Sequence, residues 1–387
     1  VADIEIGLGK TARRGYSLDD ISIVPSRRTR DPHDVDIAWE LDGIRFELPL
    51  LASPMDGVVS PDTAIAIGRL GGIGVLNLEG IWTRYDDPEP LLDEIATLGE
   101  QEAIARLQEI YAAPIRPELI VERIDQISEA GVMVGAAVSP QRIESLMPTI
   151  RESALNLLVI QGTVVSAEHL TSAEEPLNLK QFVRQVDLPV VVGGCASYSA
   201  ALHLMRTGAA AVLVGVGAGE SSTARGVLGL GAPQATAIAD VRAARMRHLD
   251  ETGVYVHIIA DGGMATGGDI AKAVACGADA VMIGSPLAAA TNAPGRGFHW
   301  GLAAVNEELP QGTRVSVPAR ASLEEILVGP AHRSDGRTNL FGGLRASMAA
   351  CGYKTLKDFQ KAEVVLAPAV RSEGKSLQLA QHVGMGA

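Results

Sequence analysis

The sequence predicts an α/β fold: one (β/α)8 TIM-barrel domain over 1–387, with a short helical insertion after its second strand and a C-terminal extension. Short β-branched runs ending in glycine or a polar residue alternate with amphipathic stretches, the alternation that closes a parallel barrel. The 42 glycines against 5 phenylalanines suit many tight turns packed around small side chains. At 387 residues and 47% hydrophobic content, the chain can bury a core of that size without splitting.

Taken in order, the first strands are expected near 49–53, 73–77, 132–138 and 156–161. The others are expected near 189–193, 211–215, 256–260 and 280–283, with room between neighbours for a helix and two turns. Val190-Val191-Val192-Gly193-Gly194 weakly resembles Ile258-Ile259-Ala260-Asp261-Gly262-Gly263, as duplicated barrel units would, although any βαβ pair can look alike. The gap after the second strand holds Trp82 to Pro88, a helix-like stretch Glu89–Tyr111 and a break at Pro114 and Pro117, so 82–120 reads as the insertion. Beyond Pro310, glycine-rich turns and a last amphipathic stretch form the extension.

Cys195, Cys276 and Cys351 make no CxxC pair and no zinc spacing, which fits a reducing cytoplasm better than a disulfide framework. Val1 to Thr11 is polar and charged, and no apolar run reaches the roughly 20 residues that span a bilayer, so no membrane partner is expected. A formal charge of −13 argues against nucleic acid, and Arg27, Arg28 and Arg30 read as a solvated face.

In barrels of this kind the loops after strands seven and eight commonly hold a phosphate, because glycine lets main-chain amides approach it. Here those loops read Ala260-Asp261-Gly262-Gly263-Met264 and Ile283-Gly284-Ser285-Pro286, making Gly262, Gly263, Gly284 and Ser285 the phosphate candidates. Asp261 is placed to accept from ribose hydroxyls or to cap a helix, and each glycine also has the plainer reading of a tight turn.

A collinear set of segments resembles the IMP dehydrogenase/GMP reductase family: Ser17-Leu18-Asp19-Asp20-Ile21, Ala52-Ser53-Pro54-Met55-Asp56, Leu70-Gly71-Gly72-Ile73-Gly74-Val75, Gly215-Val216-Gly217-Ala218-Gly219 with a Ser-Thr-x-Arg continuation, Ala260-Asp261-Gly262-Gly263, and Gly342-Gly343-Leu344-Arg345. Each motif is weak alone, whereas their order over most of the chain is specific. The resemblance is to the subfamily without paired CBS modules, whose place the insertion takes. It implies a purine nucleoside monophosphate ligand (IMP, XMP or GMP), NAD as cofactor and a cyclic homotetramer. By the same resemblance Ser53 and Met55 touch the nucleotide, Asp261 its ribose, Gly263, Gly284 and Ser285 its phosphate, and Gln311 its base. Gln161, Gly162, Thr163, Gly215 and Gly217 then fall on the cofactor side. Carbonyls of Gly217, Gly219 and Ser222 would hold a potassium ion.

The chain departs from the family where chemistry is done. The family's Gly-Ser-x-Cys-Thr-Thr-Arg loop supplies a cysteine that adds to purine C2, and here the loop reads Gly219-Glu220-Ser221-Ser222-Thr223-Ala224-Arg225. Ser222 stands in the cysteine's place, and a hydroxyl needs a base that a thiol near pKa 8.5 does not. Glu220 replaces a small residue beside the phosphate, Gln161 an aspartate, and Cys195 an asparagine. His299-Trp300-Gly301 runs almost directly into Pro310-Gln311-Gly312, without the flap and Arg-Tyr pair that activate water in the dehydrogenases. Thr223, or Gln161 with a water, is the substitute base; Thr223 also reads as a turn residue. Cys195 is a surrogate nucleophile or buried packing, and His299 a replacement phosphate ligand or a structural hydrogen bond.

The resemblance implies an NAD-dependent oxidation of IMP to XMP on altered machinery. A nucleotide-binding regulator without redox activity and a GMP reductase-like enzyme share the same barrel. A flavin-binding barrel leaves the strand-six glycine loop unexplained.

Overall fold

The structure is a computed structural model that describes residues 3–168, 177–301, 313–368 and 372–384. Barrel strands are labelled β1 Leu50–Ala52, β2 Ile73–Asn77, β3 Gly135–Val138, β4 Leu157–Gln161, β5 Val190–Cys195, β6 Ala211–Val214, β7 His257–Asp261 and β8 Ala280–Ile283. Each pairs in parallel with the next, and β8 returns to β1 through Val281 opposite Leu50 and Ile283 opposite Ala52, which closes the barrel. Strands covered by helices outside and packed side chains inside read as unbroken apolar runs, as Val190-Val191-Val192 and Ala211-Val212-Leu213-Val214 do.

The predicted strand positions hold to within a few residues. The largest difference is at β3, which starts at Gly135 and not at 132. The amide of Val134 is taken by the side chain of Asn156 at 2.8 Å, so the ladder with β4 opens only one residue later.

Helices Glu89–Thr97 and Glu100–Tyr111 occupy the long β2–β3 connection, and Pro117–Glu129 then joins the outer ring between Pro61–Arg69 and Ile143–Glu152. The two inserted helices bury Leu92, Ile95, Leu107 and Ile110. Tyr111 donates to the buried carboxylate of Asp56, in the turn after β1, and receives the indole N–H of Trp300 at 3.0 Å. The insertion is thereby fastened to two segments that border the carboxyl end of the barrel.

At the opposite end a hairpin, Trp39–Leu41 and Ile44–Phe46, stacks Trp39 on Phe46 and sets Trp39 edge-on to His257 at the start of β7. The C-terminal extension packs on the same body, with Leu340–Ala350 against Gly267–Cys276 and Val364–Leu366 antiparallel to Ile21–Ile23. Gln360 reaches the buried Arg245–Asp279 ion pair. Among the described residues no helix is long and apolar enough to cross a membrane.

Candidate active site at the carboxyl end of the barrel

The loops after β1, β4, β6, β7 and β8 surround two adjoining cavities of about 150 and about 280 Å³. Ser53, Met55, Gly219 and Asp261 line both, so the two form one elongated space in the size range of small-ligand sites. Glycine is required at two of the walls. A Cβ on Gly215 would lie 2.1 Å from the carbonyl oxygen of Asp261, which ties the β6 loop against the end of β7. Gly262 has φ +77°, and a Cβ there would meet the Gly219 amide at 2.8 Å.

The first cavity gathers Gln161, Gly162, Thr163, Gly215, Gly217, Gly219 and Ser222. Gln161 Nε2 donates to Asp261 Oδ2 at 3.1 Å, while Gln161 Oε1 is buried without a partner among the described residues. Burial pushes the Asp261 carboxyl up to about 7, against the opposing hydrogen bond from Gln161. A carboxylate with no ion-pair partner among the described residues, facing a cavity, is an acceptor awaiting donors.

The second cavity is walled by Gly262, Gly263, Gly284 and Ser285, the four phosphate candidates. Ser53 donates its amide to Ile283 across the barrel seam at 2.9 Å, and Met55 seats its sulfur against Gly284, where a Cβ would lie 2.9 Å away. Ser285 Oγ is 2.9 Å from Nε2 of His299, a fully buried imidazole whose pKa is lowered by its burial, with the charge of Glu220 opposing. His299 thus stands behind Ser285 and orients its hydroxyl, which is the structural reading of that histidine. Glu220 is exposed and lines the second cavity.

Ser222 lies in the β6 loop with its amide donated to the Gly219 carbonyl at 3.1 Å and its Oγ accepting from the Ala224 amide at 3.4 Å. Thr223 lines neither cavity; its carbonyl receives the amides of Gly226 and Val227 as the short helix Ala224–Val227 begins. Gln311 lies outside the described residues. Cys195 is buried between β5 and β6, donates to the Leu213 carbonyl at 3.4 Å, and has its thiol pushed up to about 12 by burial. It is packing and not a surrogate nucleophile. Cys195→Ala is therefore expected to leave nucleotide binding and any IMP-dependent turnover within twofold of wild type, as assayed side by side.

Ala265, Thr266, Asp269, Met282 and Arg337 line the second cavity without having been singled out from the sequence. Arg337 reaches the second cavity from the C-terminal extension, and a lone arginine in the polar turn Ser334-Asp335-Gly336-Arg337 carries no signal of that destination.

Known proteins share the sequence pattern and the fold of this chain. The profile of the IMP dehydrogenase / GMP reductase domain matches residues 15–304. An uncharacterized oxidoreductase of Mycolicibacterium smegmatis is 51% identical over 367 residues, covering 92% of this chain and 98% of its own. Inosine-5'-monophosphate dehydrogenase of Methanocaldococcus jannaschii is 26% identical over 477 residues, covering 90% of this chain and 92% of its own. The crystal structure of an IMP dehydrogenase/GMP reductase-like protein from Corynebacterium glutamicum superposes with a TM-score of 0.90 at 46% identity, covering 94% of this chain and 97% of the other. With its barrel and three quarters of its length inside that profile, the chain belongs to the IMP dehydrogenase / GMP reductase family.

Proposed function

We propose that the chain binds a purine nucleoside monophosphate across the two cavities and acts as an NAD-dependent, IMP dehydrogenase-like oxidoreductase. In that reaction IMP, NAD+ and water give XMP, NADH and a proton. The observation that carries the proposal is the continuity of the site. A ligand whose phosphate rests on Gly262, Gly263, Gly284 and Ser285, with its ribose at Asp261, directs its base toward the Ser222 loop.

Gln161, Gly162, Thr163, Gly215 and Gly217 fit the cofactor side, where the buried, unpartnered Gln161 Oε1 offers an acceptor for an amide or hydroxyl. NAD, when bound, supplies the hydride acceptor. A monovalent cation such as potassium at the carbonyls of Gly217, Gly219 and Ser222 belongs to the same proposal. Gly217 takes φ +69°, the left-handed backbone that favours glycine, and the Gly219 carbonyl already spends one lone pair on Ser222. A cytoplasmic setting and a homotetramer complete the reading.

Ser222 favours a second reading. Its oxygen accepts from Ala224, and neither cavity is lined by a histidine or lysine that would take its proton, so a site that binds nucleotide without redox chemistry is the alternative. A GMP reductase-like reaction would want the same missing thiol. Calorimetry with IMP, beside NADH formation from IMP and NAD, separates them. Binding with turnover supports the dehydrogenase, binding without turnover supports the regulator, and absence of binding removes both.

A further inference from the structure

We infer that Arg337, which belongs to the C-terminal extension and lies beyond the part of the chain matched by the family profile, clamps the ligand's phosphate and sets the preference for phosphorylated over unphosphorylated ligands. The inference rests on the nucleotide reading proposed above and deepens it.

The charge lining the phosphate-side cavity is the starting point. Asp19, Glu220, Asp261 and Asp269 line it, and Arg337 is the one cationic side chain among its described lining residues. Asp269 is committed to its helix, since Oδ2 accepts from the amides of Ala265 and Thr266 and from the Thr266 hydroxyl. Glu220 carries a carboxylate at the rim. Backbone amides and the hydroxyls of Ser53 and Ser285 are a weak match for a phosphate dianion entering such surroundings. A guanidinium supplies both the charge and a forked pair of donors.

Arg337 is held for that task. Asp335 is buried, and its Oδ2 receives Nη1 of Arg320 at 2.8 Å while its Oδ1 receives the backbone amide of Arg337 at 3.1 Å. The carbonyl of Gly336 receives the amide of Gly267 at 3.0 Å, which fixes the turn above the β7 loop. Arg320 is thus neutralised by Asp335, whereas the guanidinium of Arg337 has no ion-pair partner among the described residues. An exposed arginine whose backbone is pinned and whose head is unpaired beside glycine amides is poised for an anion.

The test is calorimetry with IMP and with inosine, which lacks the phosphate, on the full chain. Arg337→Ala is expected to weaken IMP by about 10- to 100-fold, the effect of one hydrogen-bonded charge, and to leave inosine unchanged. Arg337→Lys should recover part of the loss, because charge returns without the fork. Glu220→Gln should tighten IMP, since it removes a like charge from the same cavity. Equal IMP affinity for Arg337→Ala and wild type would overturn the inference and leave the nucleotide reading standing. Equal losses for IMP and inosine would also overturn it, by making Arg337 a structural residue. A wild type that binds neither compound would overturn the nucleotide reading itself, and this inference with it.

Discussion

Ser222→Cys is expected to raise IMP-dependent NADH formation by at least about tenfold, equivalent to about 1.4 kcal/mol of barrier, from a wild-type rate that is slow or absent. The hydroxyl is unionised at neutral pH, it accepts from the Ala224 amide, and the side chains lining the two cavities include no histidine or lysine to take its proton. A thiol in the same place ionises to a few per cent near pH 7 without help, and the thiolate is the stronger nucleophile. Serine and cysteine are nearly isosteric and the phosphate loops are untouched, so IMP affinity should change little. Steady-state NADH formation and calorimetry on both proteins check the two halves of the expectation. Brisk wild-type turnover that survives Ser222→Ala would remove Ser222 from the chemistry, and a Ser222→Cys variant that binds IMP without turning it over would favour the regulator.

The barrel was legible in the sequence because a parallel strand buried on both faces leaves an unbroken apolar run closed by a turn residue. Runs such as Leu157–Gln161 and Ala280–Ile283 therefore announce themselves. The loops after β7 and β8 were legible because their glycines are required, Gly262 and Gly263 by φ +77°, which few side chains tolerate, and Gly284 by the close approach of Met55. What escaped was contact at long range. Nothing local in Arg337 says that a turn of the C-terminal extension is pinned above the β7 loop by Asp335 and Gly336. The two readings open for Cys195 and for His299 were also decided by neighbours that no local pattern encodes. One side chain is sealed by Leu213, and the other is spent on Ser285. The onset of β3 shows the same limit on a smaller scale, because the side chain of Asn156, just before the next strand, delays its ladder.

Asp261 offers the second large effect, and its sign follows from its burial. A carboxyl whose pKa is raised to about 7 favours the neutral form in the folded chain. The contribution of Asp261 to the stability of the free protein is therefore greatest below the unfolded value near 3.8, falls as pH rises toward about 7, and is level above that. Ligand binding has the opposite requirement, because only the ionised carboxylate accepts from two ribose hydroxyls at once. IMP should bind about tenfold more tightly at pH 8 than at pH 6, the change in ionised fraction across a pKa near 7. The phosphate's own second ionisation near pH 6 pushes the same way, so the informative quantity is the affinity ratio of wild type to Asp261→Asn, which cancels the phosphate term. That ratio should grow with pH through about 7. Asp261→Ala should weaken IMP by about tenfold or more at pH 8, the loss of a charged hydrogen-bond acceptor. Asp261→Asn, relieved of the buried charge, should melt no earlier than wild type at pH 8. A carboxylate that costs the empty protein stability and returns it only to a ribose-bearing ligand is a binding group, whereas a variant that loses stability and leaves IMP affinity intact would make Asp261 a structural residue and empty the proposed ribose site.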